Sequence, residues 1–144
     1  MAADRHALPV KGFEPYEAAA DEEYMSDEQL EHFRQLLVAW KRDLQEEVER
    51  TVHHMRDDAN NHSDPADRAT QEEAFALELR ARDRERKLIR KIDQSLEKIR
   101  TGDYGYCEQC GVEIGLRRLE ARPTATLCID CKSLEEIRER QNVA

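Results

Sequence analysis

Four cysteines carry the plainest chemistry in this sequence. Cys107-Glu108-Gln109-Cys110 and Cys128-Ile129-Asp130-Cys131 make the pattern C-x2-C-x17-C-x2-C, which falls within the spacing of four-cysteine zinc sites. Each C-x2-C turn aims two thiolates at one ion, and two such turns close a tetrahedron. Disulfides are the other use of paired cysteines. Cytosolic thiols stay reduced, however, and Met1 to Val10, which includes Asp4 and Pro9, lacks the apolar core of a signal peptide. A catalytic zinc keeps an open coordination position that four thiolates do not leave. Cys107, Cys110, Cys128 and Cys131 are therefore expected to bind a structural Zn2+. A metal would also explain how this segment folds. Its large apolar groups are few, among them Tyr104, Ile114, Leu119 and Leu127, so binding free energy becomes folding free energy. Arg117, Arg118 and Arg122 stand against Glu108, Glu113, Glu120 and Asp130 in the same segment, which leaves no basic excess for nucleic acid.

A second group of polar residues lies in the turn Ser63-Asp64-Pro65-Ala66-Asp67-Arg68-Ala69. Its two carboxylates stand at the bend between two long helical patterns. On the residues alone helix capping is the simpler account, because either Asp64 or Asp67 would serve as N-cap for a following helix.

Long helices must position both groups. Ser26-Asp27-Glu28-Gln29 is a helix start, with Ser26 as N-cap and Gln29 able to bond back to its backbone. Leu30, Phe33, Leu37, Trp40 and Leu44 then follow a heptad seam, which Val48, Val52 and Met55 continue in steps of four. Neither Pro nor Gly interrupts the chain between Ser26 and Asn60, or between Pro65 and Gly102. The second helix shows Ala69, Phe75 and Leu79, then Ile89, Ile92, Leu96 and Ile99, with Arg82 and Arg86 in a polar interval expected to meet Glu46 and Glu47. Two long helices joined by a short turn make an antiparallel hairpin. Lys132 to Asn142 reads as a last helix, with Leu134 and Ile137 spaced to dock on the stalk or the cysteine module. The expected fold is mainly α: a loose, flexible leader over 1–25 whose aromatics Phe13, Tyr16 and Tyr24 could instead dock on the body, a coiled-coil hairpin over 26–100 with its tip at 61–69, and a zinc module with a C-terminal helix over 101–144.

Composition narrows the partners. A formal net charge of −9 opposes affinity built on DNA or RNA phosphates. With 39% hydrophobic and 38% charged residues, an elongated helical shape fits better than a globule with a large core. No stretch approaches the roughly 20 apolar residues of a membrane span, and a cytoplasmic protein is expected.

The residues also carry a resemblance. Asp64-Pro65-Ala66-Asp67-Arg68-Ala69, Glu78 to Lys87, and Gly105-Tyr106-Cys107 through Pro123-Thr124 resemble the DksA family of bacterial transcription regulators, over roughly Ser26 to Gln141. The resemblance implies a protein without catalytic activity that binds RNA polymerase rather than DNA and inserts a coiled coil through the secondary channel. It implies action with the alarmone ppGpp in the stringent response, repressing ribosomal RNA promoters and activating amino-acid biosynthesis promoters. The family's tip pattern falls on Asp64, Asp67 and Ala69, which turns the two carboxylates from caps into candidate effectors. Its ppGpp contacts fall on Arg84, Leu88, Lys91, Arg122 and Lys132. A Gre-like transcript-cleavage factor is the enzymatic alternative, since such factors also present acids on coiled-coil tips. The fold needs no partner chain, so a monomer is expected.

Overall fold

A computed structural model describes residue 10, residues 12–59 and residues 65–142, apart from the side chains at 58, 59 and 65–67. Helix α1 spans Asp27–Ala59 and α2 spans Pro65–Thr101, about 50 and 55 Å of helix at 1.5 Å per residue. The two run antiparallel, with Lys41 beside Asp93 at 2.6 Å and His54 beside Glu78 at 3.6 Å. Helix α1 starts as its residues dictate: the Gln29 amide donates to Ser26 Oγ at 3.3 Å. The returning bond reaches one residue further back than expected, from the Met25 amide to Gln29 Oε1 at 2.7 Å. Helix α2 ends at Gly102, whose φ of 85° only glycine adopts cheaply. There the Gly102 and Asp103 amides bond back to the Ile99 and Lys98 carbonyls, the pairing of a Schellman motif.

The hairpin has two unlike halves. At its base Phe33, Leu36, Leu37 and Ile92 are fully buried, and Leu44 nearly so. Leu36 lies off the predicted seam. A two-helix stripe would leave it exposed, but here Tyr104, Ile114, Leu119 and Val10 join the same core as a further layer.

In the outer half the seam on α2 is Gln71, Phe75, Glu78, Arg82 and Glu85, continuing into Ile89, Ile92, Leu96 and Ile99, all at least half-buried. This is a strict heptad whose distal positions are mostly polar. It corrects the predicted seam, since Ala69 and Leu79 are exposed, Leu79 to 44%. Marking the register by apolar residues alone shifted it toward Leu79. Arg86 is exposed as well, and Glu85 takes the inward place, so the expected cross-helix Arg86–Glu47 pair is a Glu85–Glu47 contact between two carboxyls. Buried polar atoms without a partner cluster here: Gln71 Nε2, Glu78 Oε2, Arg82 Nε and Glu85 Oε2.

Residues 12–25, expected as part of a loose leader, pack against the body. The Tyr24 hydroxyl donates to the Gly105 carbonyl at 2.7 Å and accepts the Gly115 amide at 3.0 Å. The Tyr16 amide donates to Glu120 Oε1 at 2.8 Å. Residues 1–9 and 11 lie outside the described residues.

Burial, and then the Glu47 charge, raise the Glu85 pKa above the ordinary carboxylate value, with nearby Arg84 opposing. The folded chain thus binds this proton more tightly than the unfolded one, and stability falls as pH rises from the ordinary Glu range through the raised value. Glu85→Gln is expected to stabilise the hairpin at pH 7 by less than about 1 kcal/mol, and to have no effect below the ordinary carboxylate range. Denaturant unfolding of both proteins at the two pH values checks this.

Candidate functional site: a four-cysteine centre and a basic cleft

After Gly102 the chain builds a compact module. The Ile114 amide donates to the Gly105 carbonyl and the Cys107 amide to the Val112 carbonyl, both at 2.8 Å. An isolated bridge pairs Tyr106 with Glu113. Gly111, with φ 79°, turns the chain between these arms and donates its amide to the Cys107 carbonyl at 3.0 Å. This knuckle presents Cys107 and Cys110. The second pair stands at the start of α4, Ile129–Asn142, where the Lys132 amide donates to the Cys128 carbonyl. Between them runs the short helix α3, Leu116–Ala121. Tyr104 docks the module: its buried hydroxyl donates to the Pro123 carbonyl at 2.7 Å, and its ring lies 5.6 Å from that of Phe33.

The four predicted cysteine ligands come together, with all their sulfurs within 4.8 Å of one another. Cys110 and Cys128 Sγ stand 3.7 Å apart. A disulfide needs about 2.05 Å, whereas thiolates at about 2.3 Å from a tetrahedral Zn2+ lie about 3.8 Å apart. Packed so closely, the sulfurs cannot all ionise without a cation among them. Hydrogen bonds to Cys128 and Cys110 push the Cys131 thiol up to about 12. The donor set and spacing thus fit a zinc ion, which would hold the two halves of the module together.

A cleft of about 600 Å³ opens beside this centre, between α2, the segment after α3 and the start of α4. Leu88, Lys91, Arg122 and Lys132 line it, so four of the five positions singled out in the sequence converge. Arg84 is exposed and does not line it. The cleft adds Lys98, Arg118 and Trp40, which sequence reasoning missed. Lys98 was within reach, because Leu88, Lys91, Ser95 and Lys98 step along one face of α2. Arg118 was not: its Nε donates to the Leu127 carbonyl at 3.0 Å, a contact only the folded module makes.

Of the predicted tip residues, Asp64 lies outside the described residues. Asp67 falls in the first turn of α2, and Ala69 is exposed on the same helix. Leu134 and Ile137 were expected to dock. They remain 54% and 47% exposed, and no residue of α4 is buried, because the module's core closes on Tyr104, Ile114 and Leu119 without them. No helix among the described residues is long and apolar enough to cross a membrane.

Comparison with known proteins places this architecture. Residues 29–99 match the family described as DnaK suppressor protein DksA, N-terminal domain, and residues 102–136 match the prokaryotic dksA/traR C4-type zinc finger. The chain is 63% identical over 134 residues to the RNA polymerase-binding transcription factor DksA of Escherichia coli K12, covering 93% of this chain and 89% of that protein.

This chain belongs to the DksA family.

The protein of the same name from Haemophilus influenzae is 62% identical, covering 93% of this chain and 92% of that protein. The solved structure of transcription factor DksA2 from Pseudomonas aeruginosa superimposes with a TM-score of 0.76 at 46% identity, over 84% of this chain and 95% of that one. All four cysteines lie within the span that matches the C4-type zinc finger.

Cys110→Ser is expected to abolish stoichiometric metal binding and unfold residues 102–136 while leaving most of the hairpin helical. Metal analysis together with hydrogen exchange checks both halves, and a variant that keeps one metal per chain would overturn the assignment.

Proposed function

We propose that this chain binds RNA polymerase directly and regulates transcription together with ppGpp, without sequence-specific DNA binding and without catalysis of its own. The observation that carries this is 63% identity across 93% of the chain to a protein named for RNA polymerase binding. The hairpin suits entry into a narrow channel, since two helices of 33 and 37 residues lie side by side and meet no further element at their far end among the described residues. Inserted through the secondary channel, it would carry Asp64, Asp67 and Ala69 toward the polymerase active site. There two carboxylates could compete for the hydrogen bonds and electrostatics around a catalytic Mg2+.

The cleft supports the effector half of the proposal. In a chain of net charge −9, Lys91, Lys98, Arg118, Arg122 and Lys132 converge on one concavity. A polyphosphate needs such converging cations, and arginine grips phosphate oxygens through two bonds at once. Leu88, Lys91, Arg122 and Lys132 would hold ppGpp where this chain meets polymerase, with Arg84 one turn further along α2 and reachable only by a ligand that extends beyond the cleft. The metal centre keeps Arg122 and Lys132 opposite the stalk. In the cell this activity belongs to the cytoplasm and the stringent response, with ribosomal RNA promoters repressed and amino-acid biosynthesis promoters activated by a monomer.

In vitro transcription from a ribosomal promoter, with and without ppGpp, tests the function: inhibition deepened by ppGpp is expected. Vigorous RNA cleavage in backtracked complexes would instead identify a Gre-like factor. Asp67→Asn should keep polymerase affinity while losing promoter inhibition, and equal loss of both would remove the division between stalk and tip. Lys91→Ala should shift the ppGpp dose response by about tenfold, the worth of one charge-assisted hydrogen bond, while leaving ppGpp-independent activity in place.

A further inference from the structure

Two acids line the basic cleft, Glu108 and Glu135, and each is set against one of its lysines. Lys132 and Glu135 lie 3.8 Å apart on a single helix turn of α4. The other pair joins two elements: Lys98 Nζ on α2 contacts Glu108 Oε1 on the cysteine knuckle. Both backbones are pinned. The Lys98 carbonyl accepts the Asp103 amide at 2.9 Å where α2 ends, and the Glu108 amide donates to the Thr126 carbonyl at 2.9 Å. The Glu108 side chain nevertheless remains 54% exposed and that of Lys98 27%, so water reaches the pair and its hold is weak.

We propose that Lys98 is a further phosphate-binding residue of this cleft and that Glu108 is its built-in competitor, occupying the ammonium until a phosphate displaces it. This rests on the phosphate-binding role proposed above. Glu108 presents to Lys98 the same kind of acceptor that a phosphate oxygen would. Without ligand the pair keeps Lys98 from attracting small anions, and with ligand the carboxylate swings into water, which its exposure permits. A polyphosphate that also reaches Lys91 and Arg122 makes several charge-assisted bonds at once and outcompetes a single exposed carboxylate. The exchange breaks an ion pair between stalk and module, so the ligand replaces that link with its own.

The two members of the pair make opposite predictions. If the pair only fastens module to stalk, removing either member loosens the cleft and weakens binding alike. If Glu108 competes, Lys98→Ala weakens binding and Glu108→Gln strengthens it, by about two- to fivefold, the range of an exposed ion pair. The measurement is equilibrium binding of radiolabelled ppGpp to the complex of the full chain with RNA polymerase, with binding to polymerase alone subtracted. Lys91→Ala tests the underlying role, and Glu136→Gln, an exposed acid on α4 outside the cleft lining, controls for net charge. The expected result is a loss for Lys98→Ala, a gain for Glu108→Gln and no matching gain for Glu136→Gln. A loss or no change for Glu108→Gln, or an equal gain for Glu136→Gln, overturns the competitor while leaving the cleft as the site. If ppGpp adds no binding, or Lys91→Ala binds as well as wild type, the cleft is not the phosphate site and the competitor falls with it.

Discussion

Four sulfurs held within 4.8 Å of one another form a contact that the bare chain opposes. Thiolates at that distance repel, and neutral thiols are poor partners for so tight a cluster. A cation among them would reverse the sign of the interaction and hold the module closed. The knuckle at Cys107 and Cys110 stands beside the start of α4 at Cys128 and Cys131, and the segment between is folded back so that Ile114 and Leu119 join Tyr104 at the base of the stalk. The same closure carries Arg122 and Lys132 around to face Lys91. A site built to fold the module therefore also shapes the cleft.

Against that fixed base, the stalk changes character along its length. Phe33, Leu36, Leu37 and Ile92 are excluded from water, and residues 12–25 strap the junction through Tyr24 and Tyr16. Further out the heptad persists while its occupants turn polar, and Glu85 meets Glu47 across the seam. Buried polar atoms without partners, Gln71 Nε2, Glu78 Oε2, Arg82 Nε and Glu85 Oε2, mark this half as the less favourably packed one.

Charge follows the same division. The chain is acidic overall, yet cations collect in one concavity between stalk and module. Contacts of this kind are invisible to net charge, which averages over faces that never meet.

Much of the architecture was legible from the residues. C-x2-C spacing identified the ligands because two thiolates on one tight turn are fixed by local geometry. The absence of Pro and Gly between Ser26 and Asn60 marked a long helix for similarly local reasons. What failed was whatever depends on a neighbour distant in sequence. The register of distal α2 was misread through Leu79 because apolarity does not say which face a partner helix covers, and the partner there accepts Glu78, Arg82 and Glu85. Leu36 was missed because a third layer, not the helix itself, decides that it packs. Glu108 and Arg118 reach the cleft only through the folded module, whereas Lys98 shares its face of α2 with Leu88 and Lys91. The sequence by itself determined the elements and the metal ligands, which short-range spacing dictates. Tertiary structure alone decided which charged side chains face one another, because folding sets those distances between segments that the chain keeps far apart.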